Sequence, residues 1–341
     1  MDLTGVIYTN SNFEELGELD VASADFAWGQ DENTFEITLN KPRSASSAIL
    51  PVEDSFIYFN DTRIGGIVRG LDVNADGDVK VLGDTWSGLF GAKTLMPPNG
   101  QAYYKITNQD ATNAVKSLIS HIGWGSMFEC NSELTGRVIS HTFDGNSADN
   151  QQDSNRFMNG WSALWQLMYS HGLSLSFAFN SQTKKIDIDV KLQKFYDDPE
   201  TLYISKNSVA YKRKKFVNHL VCLGKGEKEQ RVIRHIYADS SKNISTTQSQ
   251  FGFFEISEVY DDSSADDANV LIEHGKKKLK ELIDGAEEVD VVAQKLEYKL
   301  GDIIKGMNER TGITASATIT KKIVKIEDCK TYYDYRTMKS K

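Results

Sequence analysis

Apolar and polar residues alternate with period two through the first hundred positions of the chain. Phe26 and Trp28, then Phe35, Ile37 and Leu39, alternate with polar neighbours around the turn GQDEN. That pattern predicts half-buried antiparallel strands joined by a hairpin. DSFIYF, GGIVRGLDV and DVKVLG read as further strands. Pro97 and Pro98, followed by Asn99 and Gly100, cannot sit in a central strand and close this first β-rich segment.

The period then lengthens. TNQDATNAVKSLISHIGW spaces Ala111, Ala114, Val115, Leu118, Ile119 and Ile122 as one helical stripe, with Thr107 or Asn108 as cap and Gly123 as stop. MNGWSALWQLMYSHG predicts a second helix, with Trp161, Leu164, Trp165 and Met168 on one face and Gly172 at its end. LSLSFAF and KKIDIDVKL alternate around NSQTK as a hairpin. From about Leu202 strands return, with NHLVCLG and QRVIRHIYAD flanking KGEKE. SADDANVLIEHGKKKLKELIDG predicts one more helix, acidic at its start and lysine-rich later, as the helix dipole favours. Its narrow apolar stripe suggests a place on a barrel surface. In the closing stretch YKLGDIIKGMNERTGITASATITKKIVKI, Ile313, Ala315, Ala317 and Ile319 share one face, whereas Val324 and Ile326 have the other parity. A bulge near Lys321 and Lys322 would restore the register. The short polar turn and the lack of a neighbouring chemical cluster make this stretch wall.

With 341 residues the chain can hold two or three domains, and 40% hydrophobic with 26% charged residues is ordinary globular composition. A net charge of -9 argues against a surface that grips nucleic acid. The basic run Lys212 to Lys215 reads as a solvated strand edge. Cys130, Cys222 and Cys329 are odd in number and far apart, which suggests reduced thiols in an intracellular product. The first twenty residues lack a basic start followed by an apolar run, and no window reaches about eighteen apolar residues, so neither a signal peptide nor a membrane span is expected.

Candidate chemistry is sparse. In DVNADGD, residues Asp72, Asn74, Asp76 and Asp78 imitate the first half of a calcium loop, but position twelve is Gly83 and the flanks read as strands. A hairpin turn is the better reading, leaving these four as weak metal candidates. GKGEKE, Gly224 to Glu229, lacks the spacing and the following helix of a phosphate loop. The six histidines are scattered outside any HExxH or GxSxG pattern, and His121 and His171, near helix ends, suit capping or packing. No catalytic residue and no cofactor is therefore assigned. Phe157, Trp161, Trp165 and Tyr169 could form a group that binds a sugar or a base, but their helical spacing favours core. Phe251, Phe253 and Phe254 in QFGFFEI are candidates for a partner contact, the alternative being a strand covered on both faces.

The segment from Asn218 to Asp239 resembles the hairpin of the Gp37-like tail proteins of siphoviruses and Gram-positive prophages. The matching positions are Asn218, Gly224, Lys225, Gly226, Glu227, Arg231, Tyr237 and Asp239. The closing stretch is similar to that family's terminal barrel strands, through Leu300, Gly301, Asp302 and Ile303 and the turn Thr311, Gly312, Ile313. FEITL, GGIVRGL and VLGDTWSGLFGAKTL resemble its first barrel, with LGDTW standing where relatives often have Gly-Arg-Asp. The resemblance implies an α+β, mainly β chain with two β-barrel-like domains and inserted α/β segments, as in phage baseplate hub proteins. Residues 1–105 would form the first barrel, completed by strands around 203–240. Residues 106–202 would be the inserted α+β domain, and 241–341 a second barrel with one surface helix. It further implies a non-enzymatic tail-tip protein of the virion, made in the host cytoplasm. Such a hub would be a homotrimer that contacts a distal tail protein and the tape measure protein. A carbohydrate- or receptor-binding module and a cell-wall hydrolase hub are the competing readings. With no hydrolase segment before Lys341, the second of these is not expected.

Overall fold

The structure is a computed structural model that describes residues 6–41, 50–59, 64–143, 157–197, 207–292, 298–327 and 330–339. Among these the chain is mainly β, with four α-helices. It divides into two compact units, one of residues 1–209 and 291–341 and one of residues 210–290.

The first unit begins with β1 (Val6–Thr9), β2 (Glu15–Leu19), β3 (Val21–Gly29), β4 (Thr34–Leu39), β5 (Phe56–Phe59), β6 (Gly65–Val73) and β7 (Val79–Thr85). The hairpin expected around GQDEN is β3–β4, in which Phe26 faces Phe35. Both rings and Ile37 are buried, as alternation requires of a strand with one covered face. The short helix α1 (Trp86–Gly91) follows directly and buries Trp86 and Phe90 completely.

Next come β8 (Thr94–Leu95), β9 (Lys105–Asp110), α2 (Ala111–Ile122), β10 (Phe128–Glu129), β11 (Val138–Thr142), β12 (Met158–Asn159), α3 (Gly160–His171), β13 (Leu173–Asn180) and β14 (Lys185–Leu192). Helix α2 starts later than expected, because Thr107 and Asn108 belong to β9. Its cap is Asp110, whose Oδ1 accepts from Thr112 N at 2.9 Å. Both helices stop at the glycines expected, Gly123 and Gly172. Trp161 on α3 is 3% exposed and donates through Nε1 to Gly29 O at 2.7 Å, fastening the helix to the end of β3.

After β15 (Phe195–Tyr196), the chain enters the second unit through β16 (Ser208–Arg213). There it forms β17 (His219–Leu223), β18 (Ile233–Ala238), β19 (Ile244–Ser245), β20 (Ser257–Asp261) and α4 (Ala268–Asp284). It returns through β21 (Glu287–Val292), which pairs with β16, to β22 (Ile303–Met307), β23 (Thr314–Glu327) and β24 (Lys330–Lys339).

These last strands do not form a sheet of their own. β23 pairs with β3, giving one eleven-stranded sheet in the order β15-β22-β23-β3-β4-β7-β6-β5-β1-β2, with β24 also on β23. Among the described residues no pairing joins β15 to β2 and closes it. The length of β23 makes the junction. One edge carries β24 from Ala317 to Glu327, while the other carries β22 over Thr314–Thr318 and then β3 over Lys321–Glu327. The register shifts between Ile319 and Lys321, which is the bulge expected from the change of parity.

The strands around 203–240 also differ from expectation. β17 and β18 pair with each other and lie in a four-stranded sheet, order β19-β18-β17-β20, within the second unit. The reason is α4. Leu271, Gly275, Leu279 and Ile283 recur every fourth residue and are covered by Leu220, Cys222, Ile236 and Ala238. The helix thus closes one face of a small sheet instead of riding on a barrel. Its contact is close: a Cβ on Gly275 would lie 2.4 Å from Cys222 Sγ.

Candidate functional site

The hairpin β17–β18 and the loop before β20 gather most of the residues that attracted notice in the sequence. Asn218 is buried, and its Oδ1 accepts from Ile256 N at 2.9 Å while its Nδ2 donates to Phe254 O at 2.8 Å. In GKGEKE the amides of Gly224 and Lys225 are taken by Val232 O and Ala265 O, so the turn offers them to no phosphate. Arg231 donates to Gly224 O at 3.0 Å and to Asp261 Oδ1 at 2.5 Å. Asp239 accepts from the amides of Ser241 and Asn243, both at 2.8 Å. The side chain of Asn243, followed by these amides, holds its carboxyl below the usual range. Each of these side chains serves backbone or a neighbouring strand.

Asn218→Ala removes both contacts to the loop. An unpaired buried group costs about 1–3 kcal/mol. The expected outcome is a lower melting temperature for the second unit and faster amide exchange over residues 251–256. Unchanged exchange there would contradict the anchoring role.

Phe251, Phe253 and Phe254 are 62%, 87% and 53% exposed. The alternative of a covered strand does not hold, because Gly252–Phe254 is a single 3-10 turn. The rings of Phe253 and Phe254 lie 4.0 Å apart, and Lys215 donates to Phe254 O at 2.5 Å.

Beneath the loop lies a polar chain that sequence reading missed. Glu255 Oε1 is 2.5 Å from His219 Nδ1, and His219 Nε2 is 2.8 Å from His235 Nδ1. Gln248 donates to the other oxygen of Glu255 at 3.0 Å, and Tyr237 stacks on His219 at 4.4 Å. The two histidines look remote at positions 219 and 235. In the hairpin register His219 faces Tyr237 and Val221 faces His235, so the imidazoles are diagonal neighbours.

The remaining candidates separate. At the β6–β7 turn, Asn74 Oδ1 accepts from the amides of Asp76 and Asp78 at 3.0 and 2.9 Å, and Lys41 pairs with Asp78 at 2.9 Å. Asn74 and Lys41 hold the Asp78 carboxyl below its usual range. Asn74, Asp76 and Asp78 thus sit in a hairpin turn where Asn74 and Asp78 serve the turn itself, while Asp72 lies in β6 opposite Lys80 of β7. Among the described residues no group of three or more His, Cys, Asp or Glu is placed to hold a metal. His121 Nε2 lies 2.6 Å from Met96 O and its ring stacks on Tyr104, while His171 meets His141 at 3.2 Å. Burial, with His141 and Arg137, holds His171 below the usual imidazole range. Cys130 and Cys222 are buried free thiols, and burial pushes Cys222 up to about 11, far from a reactive thiolate. Cys329 lies outside the described residues. Trp161 and Trp165 are core, whereas Phe157 is 49% exposed.

The closing stretch forms β22 and β23 of the large sheet. Tyr298 is buried with its hydroxyl 3.0 Å from Asn207 Nδ2, and the turn after β22 closes through Asn308 N to Ile313 O at 2.8 Å. Asp302, 2% exposed, accepts from the amides of Lys194 and Lys299, both at 3.1 Å. Burial raises its carboxyl above the ordinary 3.8, with those amides opposing. A raised native value means the folded state holds the proton longer than the unfolded one. The resulting contribution is full below the ordinary value and is lost as pH rises through the native one. The stability of the wild type relative to Asp302→Asn should therefore fall from pH 4 upward in thermal melts; a constant or growing difference would refute the assignment.

No family model matches the sequence, and no curated protein does. Its structural neighbours are prophage tail proteins. The 43 kDa tail protein of prophage MuSo2 from Shewanella oneidensis is 9% identical, with a TM-score of 0.49 over 98% of each chain. The prophage tail protein gp18 from Listeria monocytogenes is 13% identical, with a TM-score of 0.49 over 99% of this chain and 95% of that one. A tail protein from Neisseria meningitidis is 11% identical, with a TM-score of 0.45 over 98% and 96%.

Proposed function

We propose that this chain is a structural protein of a phage or prophage tail tip, a baseplate hub made in the host cytoplasm and carried in the virion. It assembles as a homotrimeric ring that joins the distal tail protein at the end of the tail tube to the tip, and it meets the tape measure protein. It acts by assembly and not by catalysis. The observation that carries this reading is the use made of the residues behind the family resemblance. Asn218, Arg231, Asp239, Gly301 and Asp302 hold turns, strand edges and buried amides in place. Residues spent in that way define a scaffold. The sugar-binding alternative relied partly on Trp161 and Trp165, which are buried. Phe251, Phe253 and Phe254 are the subunit or partner contact in this proposal, as exposed aromatics on a fixed turn.

Light scattering after size exclusion tests it. A mass near three times 38.2 kDa supports the hub, and Phe251→Ser, Phe253→Ser and Phe254→Ser combined should then lower the mass without lowering the melting temperature. A strict monomer at every concentration overturns the self-assembling ring.

A further inference from the structure

We propose that His219 and His235 form a two-imidazole site for a divalent transition-metal ion, with Glu255 as its positioning residue. The site is independent of the tail-tip reading. His219 Nε2 and His235 Nδ1 already converge to 2.8 Å from adjacent antiparallel strands. Tetrahedral zinc at about 2.0–2.1 Å from each nitrogen would set them about 3.3 Å apart. The required opening is about half an ångström, together with a swing of the His235 ring that brings its Nδ1 lone pair round to the ion, and His235 is exposed and able to make both changes.

The proton arrangement also fits. Glu255 Oε1 accepts from His219 Nδ1, which leaves the Nε2 lone pair aimed at His235. A carboxylate on the far nitrogen of a ligating histidine fixes its tautomer and raises its basicity. Gln248 holds the second oxygen of Glu255, so the carboxylate itself is fixed. Without metal, His235 donates through Nδ1 to His219. On binding, that proton moves to the exposed Nε2, and Nδ1 becomes the second ligand. Tyr237 stacked on His219 keeps the ring from turning away.

The pair His141 and His171 makes a similar approach at 3.2 Å but differs in its surroundings. Gln166, a neutral amide, lies on the far nitrogen of His141, and the Arg137 guanidinium donates to His171 O. A second cation beside that site opposes a metal ion. With two protein ligands the His219–His235 site leaves its other positions to water, and imidazole selects Cu²⁺, Ni²⁺ and Zn²⁺ over Mg²⁺ and Ca²⁺.

Calorimetric titration of the full chain, prepared without a histidine tag, with Zn²⁺ alone tests the proposal. One equivalent should bind, with no comparable binding of Mg²⁺. His235→Ala should weaken Zn²⁺ at least tenfold while the metal-free protein stays folded, since that side chain is exposed and its loss removes only the hydrogen bond to His219. Glu255→Gln should weaken it about 10–100-fold, as losses of such second partners do. His171→Ala should leave it unchanged. Absence of saturable binding at millimolar Zn²⁺, or affinity lost in His171→Ala and kept in His235→Ala, would overturn the site.

Discussion

Trp161→Ala is expected to cost the first unit about 3–5 kcal/mol, the range for truncating a buried tryptophan. Its ring lies 5.8 Å from Trp165 and 5.9 Å from Phe177, so truncation leaves a cavity between α3 and β13. The hydrogen bond to Gly29 O contributes less, because that carbonyl also accepts from Asn33 Nδ2 at 2.8 Å. Trp161→Phe, which keeps most of the volume and loses the N–H, should accordingly recover most of the loss. Denaturant midpoints of the full chain measure both changes. A midpoint unmoved in Trp161→Ala, as for a residue on an exposed sugar-binding face, would sink the packing account.

The same tryptophan shows what periodicity can and cannot tell. Trp161, Leu164, Trp165 and Met168 announce a buried face at helical spacing, and the structure buries all four. Nothing in that spacing says that the face ends on β3, more than a hundred residues earlier. Strand neighbours pose the same problem. Alternation identifies β23 and the parity change places its bulge, but pairing with β3 depends on contacts that no local pattern encodes. Barrel-like strands are legible in both ends of the chain, but that one sheet joins them is not. The helix cap is ambiguous locally, since Thr107, Asn108 and Asp110 are all good caps, and the tertiary pairing of β9 with β11 decides among them. The histidine chain was within reach. NHLVCLG and QRVIRHIYAD announce the hairpin, and its register sets His219 diagonal to His235. Glu255 arrives from a loop whose path the sequence does not reveal.

Gly301→Ala should destabilise the first unit by about 4 kcal/mol, from two additive sources. Gly301 has φ of +90°, which a side chain tolerates poorly. An added Cβ would also lie 2.4 Å from Leu173 O and 3.2 Å from Met168 Sδ. The first of these atoms is backbone of β13 and cannot turn aside. Moving Gly301 instead would break the hydrogen bond that its N–H donates to Ile319 O at 3.0 Å and shift Asp302 away from Lys194 N and Lys299 N. The seam where β22 meets β15 would then lose the amides that Asp302 holds. Gly312 separates the two sources, because its φ is +70° but nothing lies within 4 Å of its would-be Cβ. Gly312→Ala carries strain alone and should cost about 1 kcal/mol. Equal shifts in the two variants would mean that the contact with Leu173 contributes nothing, whereas a larger shift in Gly301→Ala would identify close packing on β13 as what requires glycine in the motif Leu300-Gly301-Asp302.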